Sequence, residues 1–506
     1  MFVKSTTRVS SRLNLAGRLG VFGMAALALA ALAGCGASQA RPKVRSSVQP
    51  DPTSRQTLSY YQAQLAELPL RLKSYDLAGV RSASPVVIRE LHVIHDDVRP
   101  EILVIDYDKN AHHMWSIDPI NFTLHWKTPI DKRVAFNPLA TRNYVVLMDS
   151  DGTYQAFDRQ SGPRDEFSRL VAKGRYEGDI FPSAHPAAND SHVFVPATNS
   201  NSLRGISLAS NARGVGSDTW GFPGAGTSQA RRFEQISLPP ACDRESVVFV
   251  NNNNLLYMVD AQSGEYRASP DLERNSRTPP LIHEDIVFCG SDRGQMFAFL
   301  KSGEVAFTVP TPGLPYGDIF VEDRWMFVRT LEVYDKEVPT DDGKGKRLRA
   351  DTRPGLFCAY QYKFIDVPGD RPVITVVDGD PSTPWIADPI WTEPDVGQRV
   401  LMKNGDHLYI LYEESEEAFG ARELSKLKAE GRIVKKEEER RVISRTMKIV
   451  DTKTGKLVRP DWIFNMADFA FIKGSMQEYD RALYLGTLDG YVFRCFASGS
   501  GNAGGR

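Results

Sequence analysis

The chain has 506 residues, 42% of them hydrophobic, and its formal net charge at pH 7 is −1. This apolar content is ample for a large core, and the length permits either several domains or one large repeat array. A net charge near zero argues against the strong global field that is typical of nucleic-acid-binding proteins, so no nucleic-acid partner is expected.

Residues 1–34 are predicted to be a lipoprotein signal peptide. Basic residues precede an apolar run at 21–33, and no acidic residue occurs before Cys35. The run is shorter than the ~20 apolar residues that a membrane-spanning helix needs. It ends in Leu32-Ala33-Gly34-Cys35, which resembles the bacterial lipobox, so Cys35 is predicted to carry the lipid (palmitate-type acyl chains). The alternative is an ordinary signal peptide that happens to contain a cysteine.

The residue after Cys35 bears on which membrane holds the anchor. In enterobacteria an Asp at this place resembles an inner-membrane retention signal, and here the residue is Gly36. The periplasmic face of the outer membrane is therefore the expected location, with the inner membrane as the open alternative.

Two segments link the lipid to the predicted fold. Residues 35–56 are polar and contain several Pro and Ser, which is typical of a disordered tether. Residues 57–70 place apolar side chains three and four positions apart, which predicts an amphipathic helix that Pro69 ends or breaks. Packing against the fold is the first interpretation of this helix, and partner binding is the second.

A short repeated phrase organises the rest of the chain. Residues 286–300 read IVFCGSDRGQMFAFL, which is two apolar runs around a polar turn with Gly, and this pattern predicts a β-hairpin. Similar phrases occur at 144–158, 247–260 and 483–496. A lone hairpin is only marginally stable in water, so many copies must pack on one another.

The spacing of these phrases predicts an all-β, eight-bladed β-propeller of four-stranded antiparallel blades over residues 71–497, with seven blades as the alternative. The first run of each hairpin is marked by Ile102, Val145, Val193, Val248, Val287, Met326, Leu408 and Leu483. Through Met326 these positions recur every ~40–55 residues, which is the period of a propeller blade.

The last two intervals are longer because each contains a charged insertion. Residues 335–353 are rich in charge and Gly, and residues 413–445 are nearly all charged or helix-forming. The second insertion is predicted to be a charged, solvated helical arm, for which partner contact is the functional interpretation.

The two ends of the repeat array are predicted to close the ring together. After the eighth hairpin only a Gly- and Ser-rich end remains, and residues 498–506 are expected to be a disordered tail. The last blade must therefore take its fourth strand from the N-terminal side, within residues 71–80, and this closure removes exposed sheet edges. Proline-bearing segments 278–282 and 385–389 are predicted as innermost strands, and 304–309 as an outermost strand.

Several hairpins end in Asp, two residues, Ser or Thr, and Gly. The copies begin at Asp158, Asp260 and Asp451. In this turn the Asp and hydroxyl side chains satisfy backbone N–H groups, and Gly supplies a positive φ. The motif resembles the PQQ-type propeller repeat, A-x-D-x-x-T-G-x-x-x-W, over most of residues 86–496. This resemblance implies a β-propeller.

The departures from that repeat bear on function. Only Asp118 and Trp126 keep the Asp-to-Trp spacing, so the docking tryptophans are expected to be mostly missing. In the quinoprotein enzymes of this family an adjacent-cysteine disulfide, a Trp, calcium and a catalytic Asp surround the quinone. This chain has no Cys-Cys pair, and Asp149-Ser-Asp151-Gly152 fits a hairpin turn better than a calcium loop. No catalytic, cofactor-binding or metal-binding residue is assigned, and no cofactor is predicted.

The remaining cysteines and histidines do not suggest a metal site either. Cys242, Cys289, Cys358 and Cys495 are far apart, and their disulfide pairing cannot be read from their spacing. The histidine pairs at 92/95 and 112/113 lie in predicted strands, where neither pair directs both rings to one face.

A lipidated PQQ-type propeller without cofactor residues resembles the BamB-type lipoproteins. The resemblance implies a non-enzymatic, lipid-anchored scaffold in the bacterial cell envelope, with envelope or outer-membrane proteins as partners and a role in outer-membrane protein assembly. The alternatives are a PQQ-dependent dehydrogenase-like enzyme and a propeller that binds carbohydrate or peptidoglycan.

Overall fold

The computed structural model of this protein describes residues 56–77, 88–94, 101–107, 112–130, 136–149, 152–159, 169–175, 184–197, 201–208, 218–224, 233–339, 346–365, 373–377, 388–394, 396–417, 440–474 and 481–497. The predicted signal peptide, Cys35, most of the predicted tether and the C-terminal tail lie outside these residues. Among the described residues, no helix combines the length and the apolar character needed to cross a membrane.

The described chain begins with one helix and one strand and continues as eight antiparallel sheets. The first two elements are α1 (Leu58–Leu65) and β1 (Arg71–Asp76). Blade 1 contains β2 (Ile88–Ile94), β3 (Glu101–Tyr107), β4 (His112–Ile117) and β5 (Leu124–Ile130). Blade 2 contains β6 (Leu139–Ala140), β7 (Tyr144–Met148), β8 (Thr153–Asp158) and β9 (Leu170–Arg175). Blade 3 contains β10 (Ala187–Ala188), β11 (His192–Ala197), β12 (Ser202–Ser207) and β13 (Asp218–Phe222).

The central blades follow the same plan. Blade 4 contains β14 (Ala241–Cys242), β15 (Ser246–Val250), β16 (Leu256–Asp260) and β17 (Tyr266–Ala268). Blade 5 contains β18 (Leu281–His283), β19 (Ile286–Ser291), β20 (Gln295–Leu300) and β21 (Val305–Pro310). Blade 6 contains β22 (Leu314–Glu322), β23 (Trp325–Pro339) and β24 (Lys346–Ile365), and β24 pairs with both β25 (Val373–Val376) and β26 (Trp391–Glu393).

The last two blades complete the set. Blade 7 contains β27 (Arg399–Asn404), β28 (His407–Glu417), β29 (Arg440–Asp451) and β30 (Ile463–Asn465). Blade 8 contains β31 (Phe471–Gly474), β32 (Ala482–Gly486), β33 (Tyr491–Phe496) and, as its outermost strand, β1. The eight residues that marked the repeat in the sequence all lie in the second strand of their blades, which confirms the count of eight.

Apolar side chains hold neighbouring blades together. All six residues of β19 are buried, and Phe288 and Tyr362 of the next blade share one apolar cluster with Val328. Strand side chains alternate between the two faces of a sheet, so a fully buried strand must pack against a blade on either side. Each buried side chain of this size stabilises the fold by ~1.5–3 kcal/mol.

The ring closes as predicted. β1 pairs with β33 in antiparallel register from Arg71 opposite Phe496 to Asp76 opposite Tyr491. At the other side of the same blade, β31 contacts β2, so the first strands of blades 8 and 1 are neighbours. The eighth blade therefore contains strands from both ends of the described chain and lies beside the first blade, which closes the ring.

The N-terminal helix is shorter than predicted and packs against the propeller. α1 begins after the N-cap Thr57 and ends at Leu65, four residues before Pro69. Its buried Tyr61 and Leu65 join the apolar cluster between blades 7 and 8. Packing, the first interpretation of the amphipathic pattern, is therefore the one that the structure confirms.

One expectation about the insertions needs correction. The described parts of 413–445 are β-structure: 413–417 and 440–445 pair with each other as extensions of β28 and β29. A helical arm is wrong for these residues, and 418–439 lie outside the described residues. In insertion 335–353 the described residues 335–339 and 346–353 extend β23 and β24 as paired strands, and 340–345 lie outside the described residues.

The predicted strand positions around prolines are mostly confirmed. Segment 278–282 leads into the innermost strand of blade 5, and 304–309 forms the outermost one. The assignment of 385–389 as an innermost strand is wrong. Its described end leads into β26, which pairs with the third strand of blade 6, and β27 is the innermost strand of blade 7.

The Asp-x-x-Ser/Thr-Gly turns have the local geometry that the sequence predicts. Asp451 Oδ1 accepts hydrogen bonds from the backbone N–H groups of Lys453 and Thr454 at 3.0 and 2.9 Å and from the Thr454 hydroxyl at 2.9 Å. Gly455 follows with φ +69°. The turn at Asp260 repeats these bonds and ends at Gly264 with φ +71°.

These two turn glycines receive tryptophans from the preceding blade, at positions that the fixed Asp-to-Trp spacing did not identify. Trp220 of blade 3 lies on Gly264 of blade 4, and Trp391 of blade 6 lies on Gly455 of blade 7. Trp391 Nε1 also donates to the carbonyl of Thr452 at 2.8 Å. Each contact fixes one blade against the next.

We expect Gly455→Ala to lower the free energy of unfolding by ~2–5 kcal/mol, and the matched variant Gly405→Ala by ~1–2 kcal/mol. Both glycines have positive φ, which costs an L residue ~1–2 kcal/mol. A Cβ on Gly455 would lie 2.5 Å from the Trp391 ring, whereas one on Gly405 meets nothing within 4 Å. Overpacking of this kind adds ~1–3 kcal/mol. Urea denaturation measures both variants, and equal losses would contradict the docking role.

Candidate functional site

Two long hairpins extend from adjacent blades at the same end of the ring. Hairpin 6 is 332–339 paired with 346–353, and hairpin 7 is 412–417 paired with 440–446. Both join the second and third strands of a blade, and these connections lie at one end of every blade in an antiparallel ring. At ~3.3 Å per residue, eight residues carry hairpin 6 ~26 Å past its blade.

Hairpin 6 leaves the sheet abruptly. β22 pairs with β23 only as far as Leu331, and β25 and β26 pair with β24 only at 357–365. In the described part of the chain, the strands of hairpin 6 therefore pair only with each other. Side chains on both of its faces are accessible to a partner.

One face of hairpin 6 is a ladder of charged and aromatic side chains. Arg353 binds Glu332 through two hydrogen bonds of 2.9 and 2.7 Å and stacks over the Tyr334 ring at 5.3 Å. Asp351 accepts from Lys336 at 3.2 Å. The Arg353 hydrogen bond lowers the pKa of Glu332, so this pair is charged at neutral pH. The ladder holds the two strands in register beyond the sheet.

Hairpin 7 is attached to the ring at its base. Arg445 donates from Nε to Glu413 at 2.5 Å, from Nη1 to the carbonyl of Ala470 at 3.1 Å, and also from Nη1 to the carbonyl of Phe469. These carbonyls belong to the connection between blades 7 and 8. One guanidinium thus fixes the start of the hairpin to the neighbouring blade.

Helix α1 reaches the same end of the ring. Tyr61 donates to Asp489, in the turn between the second and third strands of blade 8, at 2.5 Å. Tyr60 and Gln64 donate to Asp468 at 3.0 and 2.6 Å. The helix and both hairpins therefore lie at the same end of blades 6, 7 and 8.

A charged cluster lies at the opposite ends of the innermost strands of these blades. Arg481 Nη2 is 3.4 Å from Glu322 Oε1 and 3.5 Å from Asp323 Oδ1, and Lys403 Nζ is 2.5 Å from Asp323 Oδ2. Glu322 is 7% exposed, and neither of its carboxylate oxygens accepts a hydrogen bond. The cluster connects blades 6, 7 and 8 through charge.

Burial sets the protonation of this cluster. It raises the pKa of Glu322 to about 7, and the Asp323 charge adds to this change while Arg481 and Lys403 oppose it. Burial also acts to raise the pKa of Asp323, but the hydrogen bond from Lys403 and the charges of Lys403 and Arg481 together outweigh burial and leave that pKa below its ordinary value. Burial lowers the pKa of nearby His283.

The described residues do not include a cluster of metal-binding side chains. No group of three or more His, Cys, Asp or Glu side chains within them could hold a metal ion. Two cavities that they bound hold about 250 and 210 Å³, less than the ~300–1,000 Å³ of typical small-molecule sites. Hairpins 6 and 7 and helix α1, which lie at one end of blades 6, 7 and 8, are the candidate binding surface.

The structure locates the cysteines, the histidine pair 112/113 and the turn at 149–152 that were considered from the sequence. Cys242, Cys289, Cys358 and Cys495 are all free thiols, and the last three are buried. Neighbours His112 and His113 lie in one strand, with His113 Nδ1 3.3 Å from Asp106. At 149–152 the described ends form a hairpin turn in which Gly152 N–H donates to the carbonyl of Asp149 at 3.0 Å.

Comparison with known protein families shows that part of this chain matches one family. Residues 116–309, from the third strand of blade 1 to the outer strand of blade 5, match the family described as outer membrane protein assembly factor BamB. The resemblance to the PQQ-type, BamB-like repeat is thus confirmed. None of the curated proteins matches the chain.

Two solved structures are similar to it. BamB from Moraxella catarrhalis is 11% identical over 85% of this chain and 98% of its own, with a TM-score of 0.48. The computationally designed Ika8 protein is 10% identical over 82% of this chain and 97% of its own, with a TM-score of 0.43.

Proposed function

We propose that this chain, part of which matches the BamB assembly-factor family, is a non-enzymatic scaffold that binds other proteins in the bacterial cell envelope. The family match over residues 116–309 is the observation that carries this proposal. The partners are envelope or outer-membrane proteins, and the process is outer-membrane protein assembly. The surface formed by hairpins 6 and 7 and helix α1 offers the contact area.

We further propose that lipid on Cys35 holds the protein at the periplasmic face of the outer membrane. The support is Leu32-Ala33-Gly34-Cys35 after a short apolar run, followed by Gly36. Each buried lipid methylene contributes ~0.8 kcal/mol, so several acyl chains give stable anchoring. A propeller tethered in this way lies close to the proteins that it is proposed to bind.

Fractionation of cells that express the full chain or Cys35→Ala tests both proposals. We expect the wild type in the outer-membrane fraction and the variant among soluble proteins. Crosslinking of the wild type in its native envelope, followed by mass spectrometry, should recover an outer-membrane assembly protein.

Three results would contradict these proposals. Equal fractionation of the wild type and Cys35→Ala would overturn the lipid anchor, and crosslinking that recovers no envelope protein would overturn the scaffold. Dye-linked dehydrogenase activity after addition of pyrroloquinoline quinone and calcium would overturn the non-enzymatic assignment.

A further inference from the structure

Hairpin 6 has a second face, which differs from its charged ladder. The register places Val333 opposite Thr352, Asp335 opposite Ala350 and Glu337 opposite Leu348. Alternate strand residues share a face, so these six side chains lie together on the side away from the ladder. We call this side the apolar face of hairpin 6.

Two large hydrophobic side chains on this face are open to solvent. Val333 is 50% exposed and Leu348 is 66% exposed. A two-stranded hairpin beyond its sheet is marginally stable in water unless one face packs on something. Covering both side chains would stabilise a complex, because it removes apolar surface from water.

The exposed charge nearest the apolar side chains is acidic. Asp335 lies between Val333 and Leu348 on the apolar face, whereas Lys336 and Arg353 lie on the ladder face. The two ladder cations pair with Asp351 and Glu332. A ligand on the apolar face therefore meets the Asp335 carboxylate beside the hydrophobic side chains.

We propose that the apolar face of hairpin 6 binds a protein segment that presents hydrophobic side chains flanked by Lys or Arg. Hydrophobic side chains of the partner cover Val333 and Leu348, and a Lys or Arg of the partner pairs with Asp335. Such rim charges steer encounter and select the partner more than they add affinity. This inference rests on the proposed scaffold function and adds the surface and the chemistry of the partner.

Leu348 and Arg349 are a matched pair for the test, because they are neighbours in one strand and point to opposite faces. A photo-crosslinking amino acid is placed at 348 or at 349 in the full chain, expressed in its native envelope. We expect position 348 to form a discrete adduct and position 349 to form at least tenfold less. Mass spectrometry of the adduct at 348 should identify a partner peptide with apolar residues and Lys or Arg.

Charge substitutions provide the second readout. In the chain that carries the photo-crosslinker at 333, Leu348→Asp should reduce the adduct at least tenfold, and Arg349→Asp should leave it within twofold. Asp335→Lys should reduce the adduct by charge reversal alone. Circular dichroism and urea denaturation of each purified variant separate lost binding from lost folding.

The outcomes distinguish this inference from the proposed function. Equal adducts at 348 and 349, or an acidic partner peptide at 348, would overturn the apolar face while leaving a crosslinked scaffold intact. Absence of adducts at 348 in a wild-type chain that still recovers an envelope protein by general crosslinking would overturn it as well. Recovery of no envelope protein by either route would overturn the scaffold itself.

Discussion

Tyr61→Ala should lower the free energy of unfolding by ~3–5 kcal/mol, the usual cost of truncating a buried aromatic side chain. Tyr61 is 2% exposed, and its ring lies 5.7, 5.8 and 6.0 Å from the rings of Phe469, Tyr491 and Phe493. Truncation leaves a cavity among them and removes the hydrogen bond to Asp489. The loss falls where β1 completes the eighth blade, so the closure of the ring is weakened.

Tyr60→Ala is the matched control in the same helix. Tyr60 is 40% exposed and donates one surface hydrogen bond to Asp468, so its truncation should cost less than ~1 kcal/mol. Guanidinium denaturation followed by tryptophan fluorescence gives both values. Hydrogen exchange should show that amides of β1 and β33 lose protection first in Tyr61→Ala. Equal losses for the two variants would mean that the helix does not support the closure.

Glu322→Gln should stabilise the protein at pH 8 by up to ~3 kcal/mol and leave its stability unchanged near pH 4. Burial raises the pKa of Glu322 from 4.5 to about 7, and each tenfold change in a protonation equilibrium corresponds to ~1.4 kcal/mol. A raised carboxyl pKa gives stability that is fully present below about pH 4.5 and is lost as the pH rises through about 7. Glutamine resembles the protonated form at every pH, so the difference grows across this interval.

Asp323→Asn is the control of opposite sign. Burial acts to raise the pKa of Asp323, but the hydrogen bond from Lys403 and the charges of Lys403 and Arg481 together leave it below its ordinary value, so the Asp323 charge stabilises the fold at neutral pH. This contribution is present above the unfolded pKa and is lost as the pH falls through the folded one. Asp323→Asn should therefore destabilise the protein at pH 7, with a smaller effect in acid. Thermal denaturation from pH 4 to 8 measures both variants, and parallel curves for Glu322→Gln and the wild type would contradict the raised pKa of Glu322.

Tyr61 and Glu322 both support blades 6, 7 and 8, which carry the candidate binding surface. Tyr61 supports the blade on which helix α1 rests, and Glu322 lies at the other end of the same blades. If substitutions of Tyr61 or Glu322 change stability but leave crosslinking from hairpin 6 unchanged, then these residues support the ring and do not take part in partner contact. Arg445 belongs to both groups of residues, because it supports the ring and also holds the base of hairpin 7 against the connection to blade 8.

Local pattern was sufficient to predict most of the fold. Apolar alternation around Gly-bearing turns predicted hairpins, and their spacing predicted eight blades. The absence of a fourth strand after Phe496 predicted closure by residues near Arg71, which the structure confirms. These features depend on residues close together in the chain, or on the counting of strands, and both are visible in a sequence.

Contacts between distant residues were harder to predict. Trp220 and Trp391 follow long connections, so a fixed spacing from an Asp did not find them. A Trp in a short β-prone segment just before the next blade would have been the better signal. The pairing of Arg481 with Glu322 and the division of hairpin 6 into two faces also depend on register and on neighbouring blades.

The sequence by itself determined the hairpins, the number of blades and the closure, because hydrophobic periodicity and turn chemistry act over a few residues. Only the tertiary structure decided that the charged segments 413–417 and 440–445 continue as strands. Their composition favours a helix locally, but paired strands already anchored in blade 7 supply the ladder on which each further residue can bond. Hydrogen bonds between the paired strands and the ion pair between Glu413 and Arg445 outweigh the weak local preference for a helix.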